Sequence, residues 1–323
     1  MNKKIWKIIS IVLCACLFLI GGVSCCLSSA TKGKRIESSL TITPEGTLSS
    51  PQEEIKILQL ADMQFSTYFQ GITAFKTAKR AIDKAKPDML VLTGDNVNNG
   101  SRKKQVKMLA DFLDSFEIPW ALVMGNHDYH SCVSMEEQCE IYENAKYSLF
   151  QKGEVENSYG NYACTVELNG LVSYALIFMD SGTTGFDQKH VTWYAQTVNS
   201  LPTDGAGNKI KSSVFFHIPT EETAIAYERY LEDQTLGDGV KNEPFCMQET
   251  NVGLYAKAKE LGSTNAFIYG HDHINSLVMD YQGIKLCYGL KCGKNSYYQA
   301  DMLGGNLYTV KKDGSLKIDR IYV

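Results

Sequence analysis

The chain has 323 residues, a formal net charge of −4 and 44% hydrophobic residues, which is the composition of an ordinary globular protein. This length suits one large domain or two small ones and allows a full hydrophobic core. The mildly acidic balance, with no basic run after residue 35, argues against a protein that binds nucleic acid through its surface charge.

The first thirty residues have the order of an export signal. A short basic start is followed by an almost unbroken apolar run over residues 5–23 and then by small residues and cysteines. We predict that residues 1–30 direct export and are then cleaved or kept as an anchor, since the run is nearly long enough to span a bilayer. Cys25 also resembles the lipidated cysteine of a bacterial lipoprotein, although the usual leucine three positions earlier is missing. The expected location is outside the cytoplasm, either secreted or held on the outer face of the membrane.

Residues 31–54 are rich in Ser, Thr, Glu, Lys, Gly and Pro and show little periodicity. We therefore predict a linker between the membrane and the domain that follows. Six of the ten cysteines lie beyond the export segment, and an even number in an exported domain permits disulfides. None has a paired metal-binding spacing, so buried thiols, with room for one bridge, are the interpretation we favour.

From residue 55 onward, apolar strands alternate with amphipathic helices. Phe75, Ala78, Ile82 and Ala85 recur on one face of the first helix, as helical spacing requires. Alternation of this kind indicates a largely parallel sheet. Strands are predicted at 55–60, 89–92 and 120–124, and helices at 74–86 and 106–116.

Strands dominate the second half of the chain. The dipeptide Asn169-Gly170 between two alternating runs is a strong hairpin signal. Further strands are predicted at 162–168, 172–179, 213–216 and 266–269, helices at 188–200 and 253–261, and C-terminal turns at 282–283 and 312–314. We predict one α/β domain over residues 55–323, with two packed mixed β-sheets flanked by helices.

Polar clusters directly follow five of these strands. Loops at the carboxyl ends of strands gather on one edge of an open α/β sheet, so these clusters should form one site. A single Gly-Asp after a strand is usually a turn, and a single His is usually structural, but five such clusters in one chain are hard to explain by chance. In chain order they are Asp62-Met63-Gln64, Gly94-Asp95-Asn96, Gly125-Asn126-His127-Asp128, His217 and Gly270-His271-Asp272-His273.

This order of motifs resembles the calcineurin-like metallophosphoesterases, over nearly all of residues 55–300. Additional matches resemble the branch with purple-acid-phosphatase-like enzymes: Asp187-Gln188 with Trp193, His217-Ile218-Pro219, Asn251-x-Gly253-Leu254, Gly270 to Asn275, and Cys287-Tyr288-Gly289 before a Lys and a Gly. The resemblance implies a four-layer sandwich and a hydrolase for phosphomonoesters or phosphodiesters. It also implies two divalent or trivalent metal ions, Fe, Mn or Zn.

Carried over position by position, the resemblance also gives each residue a role. A hydroxide between the metals would attack phosphorus in line. His127 would donate a proton to the leaving oxygen and would be oriented by Asp128. The first metal would be held by Asp62, Gln64, Asp95 and His273, and the second by Asp95, Asn126, His217 and His271, with Asp95 as the bridge.

Two positions depart from the family pattern. Gln64 stands where the family usually has His, which should weaken the first metal, although an amide oxygen can ligate. Purple acid phosphatases carry a tyrosine shortly after Gly-Asp, and residues 96–99 contain none, so no purple charge-transfer band is expected.

Two alternatives stay open beside a hydrolase that acts on a small phosphate ester. A nuclease or cyclic-nucleotide phosphodiesterase would use the same scaffold, although the net negative charge argues against a long nucleic acid. A non-catalytic metal-binding surface protein would keep the ligands without the chemistry. Gln64 favours that alternative, whereas His127 argues against it because a pure binder needs no proton donor. The only membrane contact expected is through the N-terminal segment.

Overall fold

The structure, a computed structural model, describes residues 30–323 and contains a nine-stranded and a five-stranded mixed sheet. The predicted export segment lies outside the described residues, except for its last residue. The predicted fold class, α/β with two packed mixed sheets flanked by helices, is confirmed. The helices are α1 (Tyr68–Ala85), α2 (Lys103–Asp114), α3 (Met135–Glu143), α4 (Gln188–Ser200), α5 (Glu222–Glu232) and α6 (Leu254–Leu261).

The smaller sheet has the order β14-β13-β3-β4-β5. Its strands are β3 (Glu54–Leu60), β4 (Met89–Thr93), β5 (Trp120–Val123), β13 (Gly304–Lys311) and β14 (Leu316–Tyr322). β3, β4 and β5 are parallel, as the alternation of strands and helices predicted, and β13 and β14 join them antiparallel. Every residue of β4 and β5 is buried, because the second sheet covers one face and helices cover the other.

Helix α1 packs its predicted apolar face, including Phe75, Ala78 and Ile82, against the smaller sheet. It begins six residues before the predicted start at residue 74. The reason is a capping box in which Thr67 accepts a bond from the backbone of Gln70 and the Gln70 side chain accepts one in return. The early start places the loop 61–67 directly between β3 and the helix.

The larger sheet has the order β1-β2-β6-β7-β8-β10-β12-β11-β9. Its strands are β1 (Thr41–Ile42), β2 (Leu48–Ser50), β6 (Tyr162–Leu168), β7 (Leu171–Phe178), β8 (Lys211–Phe215), β9 (Gly237–Asp238), β10 (Thr264–Tyr269), β11 (Val278–Tyr281) and β12 (Ile284–Tyr288). Strands β7, β8, β10 and β12 are parallel. Asn169 and Gly170 both have positive φ, 47° and 74°, as a two-residue hairpin turn between β6 and β7 requires.

The two sheets share one hydrophobic core, in which Phe178 and Phe215 of the larger sheet lie in the same cluster as Ile57 and Leu90 of the smaller one. A second cluster on the outer face of the larger sheet packs Phe267 against residues of α4 and α6. The order from one side to the other is therefore helices, sheet, sheet, helices. The carboxyl ends of β3, β4 and β5 lie beside those of β8 and β10.

Part of the predicted linker is folded into this domain. β1 and β2 fall within residues 31–54, and β2 pairs parallel with β6 at the edge of the larger sheet. Leu40 and Leu48 are buried, at 5% and 0% exposure. The composition of the segment suggested a tether, but burial of these two leucines holds residues 40–50 against the sheet.

Replacement of Leu48 by Ala is expected to destabilise the protein by about 2–5 kcal/mol, the usual cost of a cavity left by a buried leucine. Urea unfolding of the full-length protein measures this change. The control is Glu45→Ala in the same segment, which is exposed and should change stability by less than about 0.5 kcal/mol. Equal, negligible effects of both changes would show that the segment is a free tether.

The six cysteines from Cys132 to Cys292 form no disulfide within residues 30–323. Four of them are buried, in agreement with the prediction of buried thiols, while Cys132 and Cys246 are exposed. In the same part of the chain, no helix has both the length and the apolar character needed to cross a membrane.

Candidate metal centre

The five polar clusters meet at the edge where the carboxyl ends of the two sheets lie side by side. Asp62, Asp95 and His217 are all buried there, and their candidate ligand atoms lie within 4.8 Å of one another. The backbone nitrogen of His271 donates to Asp62 Oδ2 at 3.2 Å, which joins the loop after β10 to the loop after β3. The strand ends of both sheets therefore contribute to one centre.

Four side chains converge on a single point of this centre, next to His217 Nε2. Asp95 Oδ1 lies 3.2 Å from that nitrogen, Asn126 Oδ1 3.1 Å and His271 Nδ1 3.2 Å. His217 Nδ1 lies 2.8 Å from the backbone oxygen of Thr93 and donates to it, so Nε2 is the nitrogen left to bind a cation. These are the residues predicted for the second metal, and a set of carboxylate, amide oxygen and two imidazoles fits a divalent transition metal.

The charges in this group are strongly coupled. Burial alone would lower the pKa of His217, but Asp95 and Asp62 raise it to about 9. Burial and the neighbouring His217 lower the pKa of His271 to about 4. Burial also opposes ionisation of Asp95, yet His217 and His127 hold its pKa below the usual value. The ionised Asp95 thus attracts a cation, and a metal here requires His217 to lose a proton.

The residues predicted for the first metal form a less complete group. Asp62 Oδ1 is buried and has no hydrogen-bond partner among the described residues, and it lies 3.6 Å from His273 Nε2. His273 Nδ1 lies 3.0 Å from the backbone oxygen of Tyr297, which again leaves Nε2 facing the carboxylate. Asp62 therefore adds a buried negative charge to the centre, although its partners at this position are few.

Gln64 does not present its oxygen to this space. Its Nε2 donates to Asp95 Oδ2 at 2.7 Å, and its Oε1 accepts from Lys291 Nζ at 2.7 Å. The orientation of the amide is determined, because an ammonium group only donates and a carboxylate only accepts. An amide nitrogen is no metal ligand, so this arrangement does not fit the ligand role predicted for Gln64.

Lys291 is a functional candidate to which the sequence motifs gave no role. It pairs with Ala61 in an isolated parallel bridge, and its Nζ also donates to the backbone oxygen of Asp62 at 3.0 Å. Its exposure is 1%, and burial lowers its pKa to about 8 although Asp62 and Asp95 oppose this shift. The available signal was its place just after Cys287-Tyr288-Gly289, where strand β12 ends at the same edge.

His127 lies at the rim of the centre with its side chain 34% exposed. Its backbone nitrogen donates to Asp95 Oδ1 at 2.9 Å, and its Nε2 is 3.9 Å from Asp95 Oδ2. The other ring nitrogen, Nδ1, lies 2.9 Å from Asn99 Oδ1. His127 is therefore within reach of both the buried group and a molecule arriving from solvent, and Asn99 orients it.

Asp128 makes its hydrogen bonds to the surrounding loops, and the orienting role predicted for it stays a prediction. Its buried carboxylate accepts hydrogen bonds from the backbone nitrogens of Gly125, Asn96 and Val97 and from the Asn96 side chain. Burial and the charge of Asp95 raise its pKa to about 7, while these bonds lower it. Asp128 ties the loop after β5 to the loop after β4, so its contribution is to the shape of the centre.

The backbone of the centre is strained at several candidate ligands. Asp62, Gln64, Asp95 and His271 have φ values of 54°, 46°, 50° and 79°, in the left-handed region that few non-glycine residues adopt. Gly125 is needed for close packing, since a Cβ there would overlap the backbone nitrogen of Asp95. Strain of this kind concentrates where side chains must be aimed at a functional site.

Comparisons with known proteins agree with this geometry. A family model described as calcineurin-like phosphoesterase matches residues 55–275. The chain is 26% identical to the probable inactive purple acid phosphatase 14 of Arabidopsis thaliana, over 90% of this chain and 81% of that protein. It is 27% identical to the probable inactive purple acid phosphatase 29 of the same plant, over 76% of this chain and 74% of that protein.

A solved structure titled as a dimetal phosphatase from Danio rerio is also similar. Its TM-score is 0.52 and its sequence identity 11%, and the match covers 83% of this chain and 98% of that one. At this identity the likeness shows the fold alone.

Proposed function

Because the chain belongs to the calcineurin-like phosphoesterase family, we propose that it is a metal-dependent enzyme that hydrolyses a small phosphomonoester or phosphodiester at this centre. The observation that carries the proposal is the convergence of Asp95, Asn126, His217 and His271 on one point, beside a partly exposed His127. When bound, a metal at this point polarises phosphoryl oxygens and lowers the pKa of a water molecule.

His127 is the proposed proton donor to the leaving oxygen. Asn99 Oδ1 accepts a hydrogen bond from Nδ1–H, so the doubly protonated ring gives the leaving oxygen its other proton, the one on Nε2, and keeps the proton on Nδ1. The hydrogen bond from the His127 backbone nitrogen to Asp95 Oδ1 holds this donor close to the buried ligands. Asp62 contributes a second negative charge that favours a cation.

The proposal also places the reaction outside the cytoplasm. Its support is the basic, apolar and then small-residue order of the first thirty residues, with Cys25 as a candidate for a lipid anchor. The net charge of −4 supports a small ester rather than a long nucleic acid as the substrate.

One alternative function has specific support. The two Arabidopsis thaliana relatives carry names that include probable inactive, and Gln64 gives its oxygen to Lys291 instead of leaving it for a metal. A non-catalytic protein that binds a metal would have these features. Turnover, rather than metal binding, separates the two functions.

The experiment that tests the proposal is a substrate panel on the full-length protein loaded with Mn, Fe or Zn. The panel contains nitrophenyl phosphate, bis(nitrophenyl) phosphate, a cyclic nucleotide and a DNA oligonucleotide. We expect hydrolysis of the monoester or the diester with at least one metal and its loss after chelation. Cleavage of only the cyclic nucleotide or the DNA would favour a cyclic-nucleotide phosphodiesterase or a nuclease. Bound metal without turnover would favour the non-catalytic protein.

A further inference from the structure

We propose that this centre holds one metal rather than two, and that the Gln64–Lys291 pair takes the place of the first metal, the one predicted at Asp62, Gln64, Asp95 and His273. The metal lies at Asp95, Asn126, His217 and His271, and Lys291 is a positioning residue that acts through Gln64. This inference rests on the proposed function to the extent that both need a metal at these four residues.

The two oxygens of Asp95 have different partners. A carboxylate that bridges two metals gives one oxygen to each. Asp95 Oδ1 faces His217 and accepts a hydrogen bond from the backbone nitrogen of His127, whereas Oδ2 accepts the amide hydrogen of Gln64 at 2.7 Å. The Gln64 amide therefore takes the side of Asp95 that the first metal would need.

Gln64 cannot rotate its amide by half a turn to become a ligand. Rotation of its amide would direct the NH₂ group at the ammonium of Lys291 and the oxygen at Asp95 Oδ2. One contact would then pair two hydrogen-bond donors and the other two acceptors. Unsatisfied polar groups in such a buried place are costly. Lys291 is held in position by its bond to the Asp62 backbone and its 1% exposure.

Few ligands remain for the first metal. Of the four residues predicted to hold it, Gln64 and the second oxygen of Asp95 are engaged with each other, which leaves Asp62 Oδ1 and His273 Nε2. A catalytic zinc site ordinarily has three protein ligands. Two side chains leave this position one ligand short of that number.

Charge balance leads to the same result. Two carboxylates, Asp62 and Asp95, face the centre, and Lys291 adds one positive charge beside them. One divalent metal would leave this group with a net charge of plus one, whereas two would leave plus three. An excess of buried like charge is strongly unfavourable, so Lys291 supplies the cationic charge that a second metal would bring.

Metal counting tests the inference without a measurement of activity. The full-length wild-type protein is freed of metal, dialysed against Mn²⁺ and analysed for bound metal per chain, with an electron paramagnetic resonance spectrum of the same sample. We expect one equivalent and the spectrum of an isolated ion. Two equivalents of similar affinity, with the spectrum of a coupled pair, would overturn the inference.

The matching variant is Gln64→His with Lys291→Met, which supplies an imidazole, frees Asp95 Oδ2 and removes the ammonium. It is expected to gain a second equivalent, and a merely structural role of Lys291 would not produce such a gain. Lys294→Met, an exposed lysine nearby, is the control and should stay at one equivalent. A folded double variant that still binds one equivalent would contradict the inference. If the double variant does not fold, the wild-type count decides.

Turnover in the same samples keeps this inference separate from the proposed function. One bound metal with hydrolysis supports both. One bound metal without hydrolysis supports the single-metal centre and refutes the phosphoesterase. Two bound metals with hydrolysis refute the single-metal centre and leave the phosphoesterase standing.

Discussion

Asp95→Asn is expected to lose metal binding and turnover together. Its metal affinity should fall by more than about 100-fold, because loss of a residue that only hydrogen-bonds to a ligand already costs up to about 100-fold. Asp95 is fully buried and contacts His217, Gln64 and the backbone of His127, so its charge is the main attraction for a cation. Equilibrium dialysis with Mn²⁺ measures the affinity, and hydrolysis of the preferred ester measures the turnover.

The matched control is Asp83→Asn, which makes the same chemical change on the exposed face of α1. It should leave both metal content and turnover at the wild-type level. Normal metal binding by Asp95→Asn would place the metal elsewhere. Normal turnover by the same variant would remove Asp95 from the chemistry.

His127→Ala is expected to reduce turnover of an alkyl phosphate ester by about 10²–10⁴-fold, the usual contribution of a positioned acid. The side chain lies at the rim and gives no ligand to the four-residue group, so metal content should stay normal. A nitrophenyl ester has a good leaving group that needs little protonation, and its turnover should fall much less. Rates on both esters and the metal content of the variant are the measurements.

His130→Ala provides the control for this change. His130 is an exposed histidine whose ring lies 5.9 Å from that of His127, and the proposed mechanism gives it no role. Its removal should leave the ratio of the two rates unchanged. An equal loss on both esters in His127→Ala, or a loss of its metal, would contradict the role of proton donor.

Much of the fold could be predicted because the strands are local, apolar and bounded by clear signals. β4, with Met89 to Thr93 buried on both faces, reads as a strand from its apolar run alone. The hairpin at Asn169-Gly170 follows from the need for positive φ at both positions. The start of α1 and the packing of residues 41–50 were missed, because one depends on a capping box and the other on a distant strand.

The candidate site was predicted in position rather than in detail. The backbone topology alone brings the carboxyl ends of parallel strands to one edge of the sheet. The meeting of Asp62, Asp95 and His217 therefore followed from the positions of the motifs at strand ends. The partners of individual polar atoms depend on loops far apart in the chain. The bonds of Lys291 to Gln64 and of Asn99 to His127 are therefore visible only in the folded protein.

The central claim is that a metal held by Asp95 and His217 drives hydrolysis of a phosphate ester. Its most direct test is a titration of metal-free, full-length protein with Mn²⁺, in which bound metal and hydrolysis of nitrophenyl phosphate and bis(nitrophenyl) phosphate are measured on the same samples. We predict that turnover of at least one ester rises in proportion to bound metal and disappears when a chelator removes the metal. Full occupancy by the metal with hydrolysis no faster than in buffer would contradict it.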